Sequence, residues 1–109
     1  MKTEVWNMSN MIELAKVEDI PKNEMHVFNV GKLEILVANV DGEFYAVENR
    51  CPHMGYPLFF GTLKGKILKC GFHNAEFDLS SGKALNEVTG KPLRVFKLAM
   101  QDSQILVEL

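Results

Sequence analysis

Both cysteines and two of the three histidines of this 109-residue chain fall in two short segments, Cys51-Pro52-His53 and Cys70-Gly71-Phe72-His73. Thiolate and imidazole are the usual side-chain ligands of zinc and of iron–sulfur centres. Sixteen residues separate His53 from Cys70. Each segment follows a predicted strand, Glu43–Glu48 before the first and Ile67–Lys69 before the second. Each therefore sits at a strand end, where a loop presents side chains. Two such loops make a four-ligand pocket. Structural zinc would use the same donors, but it commonly takes two Cys from one segment and two His from the other. The mixed order here suits a two-iron cluster, with thiolates on one iron, imidazoles on the other and two bridging sulfides. The competing readings are inert core cysteines and a Cys51–Cys70 disulfide, which would leave both histidines unexplained and would be unusual in a reducing cytosol.

The elements that must hold these loops read as short strands. Apolar residues alternate more than they recur at helical spacing. Leu33 to Val40 is a dense apolar strand, Asp41-Gly42 a turn and Glu43 to Glu48 the return strand, because Asp-Gly supplies the positive φ that a type I′ turn needs. Gly31-Lys32 turns Met25–Val30 into the same sheet. Near the end, Phe96, Leu98 and Met100 share one face, and Ile105, Val107 and Leu109 share another, with Asp102-Ser103 as the hairpin turn. Lys64-Gly65-Lys66 and Ser81-Gly82-Lys83 are further turns. No helical period is sustained. Asp19-Ile20-Pro21 has room for one short turn. Residues 1–10 show no pattern and read as a mobile arm ahead of one domain over 11–109. Turn signals at short intervals give an all-β sandwich or barrel-like domain.

Composition narrows the partners. Twelve Lys and Arg against fourteen Asp and Glu give a net charge of −2, with 47% apolar and 24% charged residues, the proportions of a globular protein. A nucleic-acid binder would usually carry a basic stripe, so no nucleic-acid partner is expected. The longest aliphatic run, Ile35 to Ala38, is too short to cross a bilayer, and no secretory signal pattern opens the chain. A cytoplasmic protein with no membrane partner is expected.

The chain resembles the Rieske-type ferredoxins. The resemblance rests on Cys51-Pro52-His53-Met54-Gly55, Pro57-Leu58, Gly61-Thr62-Leu63, Cys70-Gly71-Phe72-His73-Asn74-Ala75-Glu76-Phe77-Asp78 and Ser81-Gly82-Lys83-Ala84-Leu85. It extends to Val40–Val47 and Ile105–Leu109 and covers residues 11–109. It implies stacked antiparallel sheets with one [2Fe–2S] cluster per chain at one end, ligated by Cys51, His53, Cys70 and His73. Pro52, Met54, Gly55, Gly71, Phe72, Asn74, Ala75 and Pro92 would surround the cluster, Pro92 in a third, covering loop. Two positions depart from the family pattern: Gly71 stands where Pro is frequent, and Asn74 where Gly is frequent. Asn tolerates the left-handed backbone better than most residues. Of the apolar residues after the first ligands, Met54, Tyr56 and Phe72 suit an exposed tip. Leu58, Phe59 and Phe60 read as core. His26 reads as structural or exposed, and Lys64, Lys66 and Lys69 as a solvated face.

The resemblance implies a one-electron carrier that is not itself an enzyme. It would act as a monomer, taking electrons from a reductase and passing them to a terminal oxygenase such as a ring-hydroxylating dioxygenase, in transient encounters with both. The alternatives are the small subunit of a nitrite reductase, a ferredoxin serving a diiron monooxygenase and, in another class, a zinc-bound interaction module. Two thiolates and two neutral imidazoles leave an oxidised [2Fe–2S] cluster neutral, whereas four thiolates would make it doubly negative. His ligation therefore raises the potential into a range of roughly −150 to +300 mV. The family's high-potential members carry Ser and Tyr donors after the second His. Here Ala75 and Phe77 stand in their place and cannot donate, so a potential near the bottom of that range is expected.

Overall fold

The computed structural model describes residues 11–52, 54–71 and 74–109; the expected arm over residues 1–10 lies outside them. Among the described residues, ten strands form three antiparallel sheets. The first sheet joins β1 (Met11–Lys16), β10 (Gln104–Glu108) and β9 (Leu98–Gln101) in that order. The second runs β2 (Met25–Val30), β3 (Leu33–Val40), β4 (Glu43–Glu48) and β8 (Val95–Phe96). The third is a small sheet of β5 (Thr62–Lys64), β6 (Ile67–Lys69) and β7 (Glu76–Asp78).

The run of apolar residues in β3 has a structural reason. Successive side chains of a strand point to opposite faces, and β3 is buried on both. Leu36, Ala38 and Val40 enter one core together with Cys51, Leu68, Cys70 and Phe77. Ile35 and Val37 enter the other, with Ile20, Ile105 and Val107. Strand β4 does the same through Val47 and Ala46. The second sheet is thus the middle layer, with the first sheet packed on one face and the cysteine-bearing unit on the other. One polar side chain in β3, Asn39, is also buried. It is satisfied because its Nδ2 donates to the Ile20 carbonyl at 2.7 Å and its Oδ1 accepts from the Gly42 N–H at 2.7 Å.

Both hairpin turns form as their residues require. Asp41 and Gly42 have φ of 51° and 98°, and Asp102 and Ser103 have 53° and 67°. The short turn expected at Asp19-Ile20-Pro21 is a 3-10 turn at Val17–Asp19. Three expectations need correction. Strand β1 was not foreseen; its burial depends on pairing with β10, which no local signal reveals. Phe96, Leu98 and Met100 do not lie on one strand, because the chain changes sheets at Lys97, although Phe96 and Leu98 pack against the same core. Phe96 stays in the middle sheet, buried, while Leu98 opens β9 and Met100 is exposed. Leu109 lies past the end of β10 and is exposed as well.

Candidate metal centre

The two cysteines end up at the same station of two loops built alike. The first follows β4 and the second follows β6. In the first, the Cys51 N–H donates to the Tyr56 carbonyl at 2.7 Å; in the second, the Cys70 N–H donates to the Ala75 carbonyl at 2.8 Å. Both loops therefore close on the fifth residue after the cysteine. Both also turn through left-handed backbone at the fourth residue, Gly55 with φ 80° and Asn74 with φ 60°. Asn74 thus adopts the conformation its side chain was expected to tolerate. Cys51 and Cys70 are 1% and 0% exposed and lie in one core. No disulfide joins them. His53, Phe72 and His73 lie outside the described residues.

The other departure, Gly71, has a steric cause. A Cβ at position 71 would stand 2.9 Å from the Phe60 carbonyl oxygen. The second loop therefore rests against the backbone of the 3-10 turn Leu58–Phe60, which follows the first. Gly61 makes the same junction one step further on: a Cβ there would overlap the Lys69 carbonyl oxygen. Lys69 immediately precedes Cys70, so this close backbone approach sets where the second loop starts.

Three further residues hold the loops and were not singled out from sequence. Asn49, 8% exposed at the end of β4, accepts the Phe59 N–H on Oδ1 at 2.8 Å and donates from Nδ2 to Glu34 at 3.1 Å. Asn86 donates to the Asn74 carbonyl at 2.9 Å and accepts from the Glu76 N–H at 3.4 Å, tying the segment after β7 to the second loop. Gly82 was noted in the Ser81-Gly82-Lys83 turn and in the family resemblance, but not as a loop-holding residue. It also takes the Leu93 N–H on its carbonyl at 2.7 Å, and a Cβ there would meet the Leu93 oxygen at 2.6 Å. That contact brings Pro92, itself exposed, and buried Leu93 back beside the β7 turn. The one signal for Asn49 was its position two residues before Cys51; Asn86, twelve residues beyond Asn74, had none.

The surface around the loops is apolar and cationic. Met54 and Tyr56 are exposed, as expected of a tip. Of the three residues read as core, Leu58 is buried, but Phe59 is 42% exposed and Phe60 69%. The 3-10 turn has one inward position, and the two Phe rings stack edge to face outside it, centroids 5.7 Å apart. The Arg50 guanidinium lies against Gly55, with Nε 3.5 Å from where a Cβ would stand. Lys64, Lys66 and Lys69 are exposed, and Lys69 pairs with Glu76 at 3.7 Å. Ala75 and Phe77, where hydroxyl donors were expected to be missing, are fully buried. At the base of the β7 turn, two hydrogen bonds from the Ser80 hydroxyl and N–H hold the Asp78 carboxyl below its usual pKa, reinforced by the charge of Lys66. His26 is half-buried and bonds to Glu24 at 3.1 Å.

Residues 10–97 match the family model described as the Rieske [2Fe-2S] domain. The chain belongs to the Rieske [2Fe–2S] family. Family membership brings a [2Fe–2S] cluster, and the donors present fit one: two buried thiols at equivalent points of twin loops, in one core. This Rieske domain is 36% identical over 99 residues to the ferredoxin component of biphenyl 2,3-dioxygenase from Rhodococcus jostii (strain RHA1), covering 91% of this chain and 92% of that one. It is 29% identical over 100 residues to the ferredoxin component of naphthalene 1,2-dioxygenase/salicylate 5-hydroxylase systems from Ralstonia sp, covering 92% and 96%. It superposes with a TM-score of 0.85, at 27% identity, on a chain of the complex of reduced oxygenase and oxidized ferredoxin in carbazole 1,9a-dioxygenase, covering 91% of this chain and 93% of that one. No helix among the described residues is long and apolar enough to cross a membrane.

Proposed function

We propose that this Rieske domain carries single electrons from a reductase to a terminal oxygenase. The observation that carries the reading is the pair of matched loops that bring Cys51 and Cys70 into one buried core. The names of its relatives, ferredoxin components of dioxygenase systems, support the direction of transfer. In this reading Cys51 and Cys70 ligate one iron, and His53 and His73 the other. When bound, the cluster takes up and releases one electron at a time. The chain's own residues do the rest. The two buried cysteines exclude water from the thiolate side. Gly61 and Gly71 let the second loop pack against the turn that follows the first, and Asn86 ties the second loop to the segment after β7. Met54, Tyr56 and Phe60 offer apolar surface beside the loops, suited to the small, short-lived interfaces of redox encounters. The protein acts as a monomer in the cytoplasm, where two thiols survive unoxidised.

Anaerobic preparations should contain iron and acid-labile sulfide and give a Rieske-type EPR signal after dithionite. They should then pass the electron to an isolated terminal oxygenase. His53→Ala and His73→Ala should each abolish the signal. A protein that holds zinc without iron or sulfide would overturn the reading.

A further inference from the structure

The net charge of −2 conceals a strong separation. The segment between β4 and β8, residues 49–94, carries seven Lys and Arg against three acidic residues, a net of +4. The rest of the chain carries five against eleven, a net of −6. The positive segment is the unit that holds both cysteine loops and the small sheet, on one face of the middle layer. The first sheet, on the opposite face, belongs to the negative part. Among the described residues, Lys69 is the one cation of the segment held in an ion pair. Arg50, Lys64, Lys83, Lys91 and Arg94 are exposed without one. The cations also mark the loops themselves: Arg50 precedes Cys51, Lys69 precedes Cys70 and Lys91 precedes Pro92.

Range decides which charge a partner meets. The molecule extends 49 Å along its longest axis, whereas exposed charges are screened within about 8 Å at physiological salt. A protein approaching this unit senses its local positive charge, which Arg50, Lys69 and Lys91 carry to the loops themselves, rather than the overall −2. We infer that the electron-exchange surface of this domain docks an acidic protein surface, with carboxylates around an apolar centre that meets Met54, Tyr56 and Phe60. This rests on the proposed electron-transfer function. Opposite charges on the two faces also turn the molecule, so the loops lead as it approaches such a partner.

Stopped-flow oxidation of the dithionite-reduced protein tests the sign of this local charge. The oxidants are hexacyanoferrate(III), an anion, and tris(phenanthroline)cobalt(III), a cation. Between about 10 and about 200 mM salt, the hexacyanoferrate rate should fall roughly tenfold or more while the cobalt rate rises. The net charge alone would give the opposite signs. The double substitution Arg50→Glu, Lys91→Glu should flatten or invert both slopes, whereas Lys16→Glu with Lys22→Glu should leave them unchanged. Transfer to the terminal oxygenase should follow the hexacyanoferrate slope. Slopes of the opposite sign, or an Arg50→Glu, Lys91→Glu protein that behaves as the parent, overturn the inference. A protein that never accepts an electron instead refutes the electron-transfer function. The charge inference keeps a separate readout in an amide NMR titration with poly-L-glutamate at low salt. Shifts should gather at Lys64, Lys83 and Lys91; shifts in β1, β9 and β10, or none, refute it.

Discussion

Gly61 gives the sharpest test of how the second loop is placed. Its φ of −86° suits any residue, so no backbone strain attends substitution there. What forbids a side chain is space. In Gly61→Ala the new methyl would overlap the Lys69 carbonyl oxygen and come within 3.0 Å of the Lys69 carbonyl carbon and 3.1 Å of the Leu58 oxygen. All three are backbone atoms, so no rotamer change relieves the clash. The strand β6 must move away from the 3-10 turn, and Cys70 moves with it. Overpacking of this kind costs about 2–3 kcal/mol. In a domain of this size that lowers Tm by roughly 10–20 °C. Gly90→Ala is the control: a Cβ there meets nothing within 4 Å and its φ is not positive, so its Tm should shift by less than about 3 °C. The assay is thermal unfolding followed by circular dichroism, with cluster content read from the visible absorbance of the same samples. A Gly61→Ala protein that melts with the parent and holds as much cluster would refute the argument.

Removing Asn49 should act through the first loop. Asn49→Ala leaves the Phe59 N–H without its acceptor and should cost about 1–2 kcal/mol in urea unfolding. Asp78→Asn should show a pH-dependent loss. The carboxylate's folded pKa lies below its ordinary 3.8, so its contribution is present above the unfolded pKa and disappears as pH falls through the folded one. The parent should exceed the variant in urea stability at neutral pH, and the gap should narrow below about pH 4; a constant gap contradicts this. Ala75→Ser places a hydroxyl beside the cysteine loop where none exists. It should raise the reduction potential in voltammetry; an unchanged or lower value would show that missing donors do not set it.

Much of the frame was legible because its signals are local. Asp41-Gly42 and Asp102-Ser103 announce their hairpins by residue type, and the two Cys/His segments announce the loops. What escaped depends on contacts distant in sequence. Strand β1 exists because β10 pairs with it. The break at Lys97 follows from a chain that must leave the middle sheet for the first one. Phe59 and Phe60 look like core by composition, but a 3-10 turn has only one buried face here, and Leu58 fills it. The loop-holding roles of Asn49, Asn86 and Gly61 arise from neighbours that the sequence does not put side by side.

Each cysteine loop closes on a main-chain hydrogen bond, from Cys51 N–H to the Tyr56 carbonyl and from Cys70 N–H to the Ala75 carbonyl. The side chains of Pro52 and Met54 take no part in that bond. Evolution can therefore rewrite Pro52 or Met54 to suit a new recipient without loosening the grip, provided that the fourth position keeps a residue at ease in left-handed backbone. The architecture divides heritable labour: the amides keep the shape, and exposed side chains such as that of Met54 remain available for divergence.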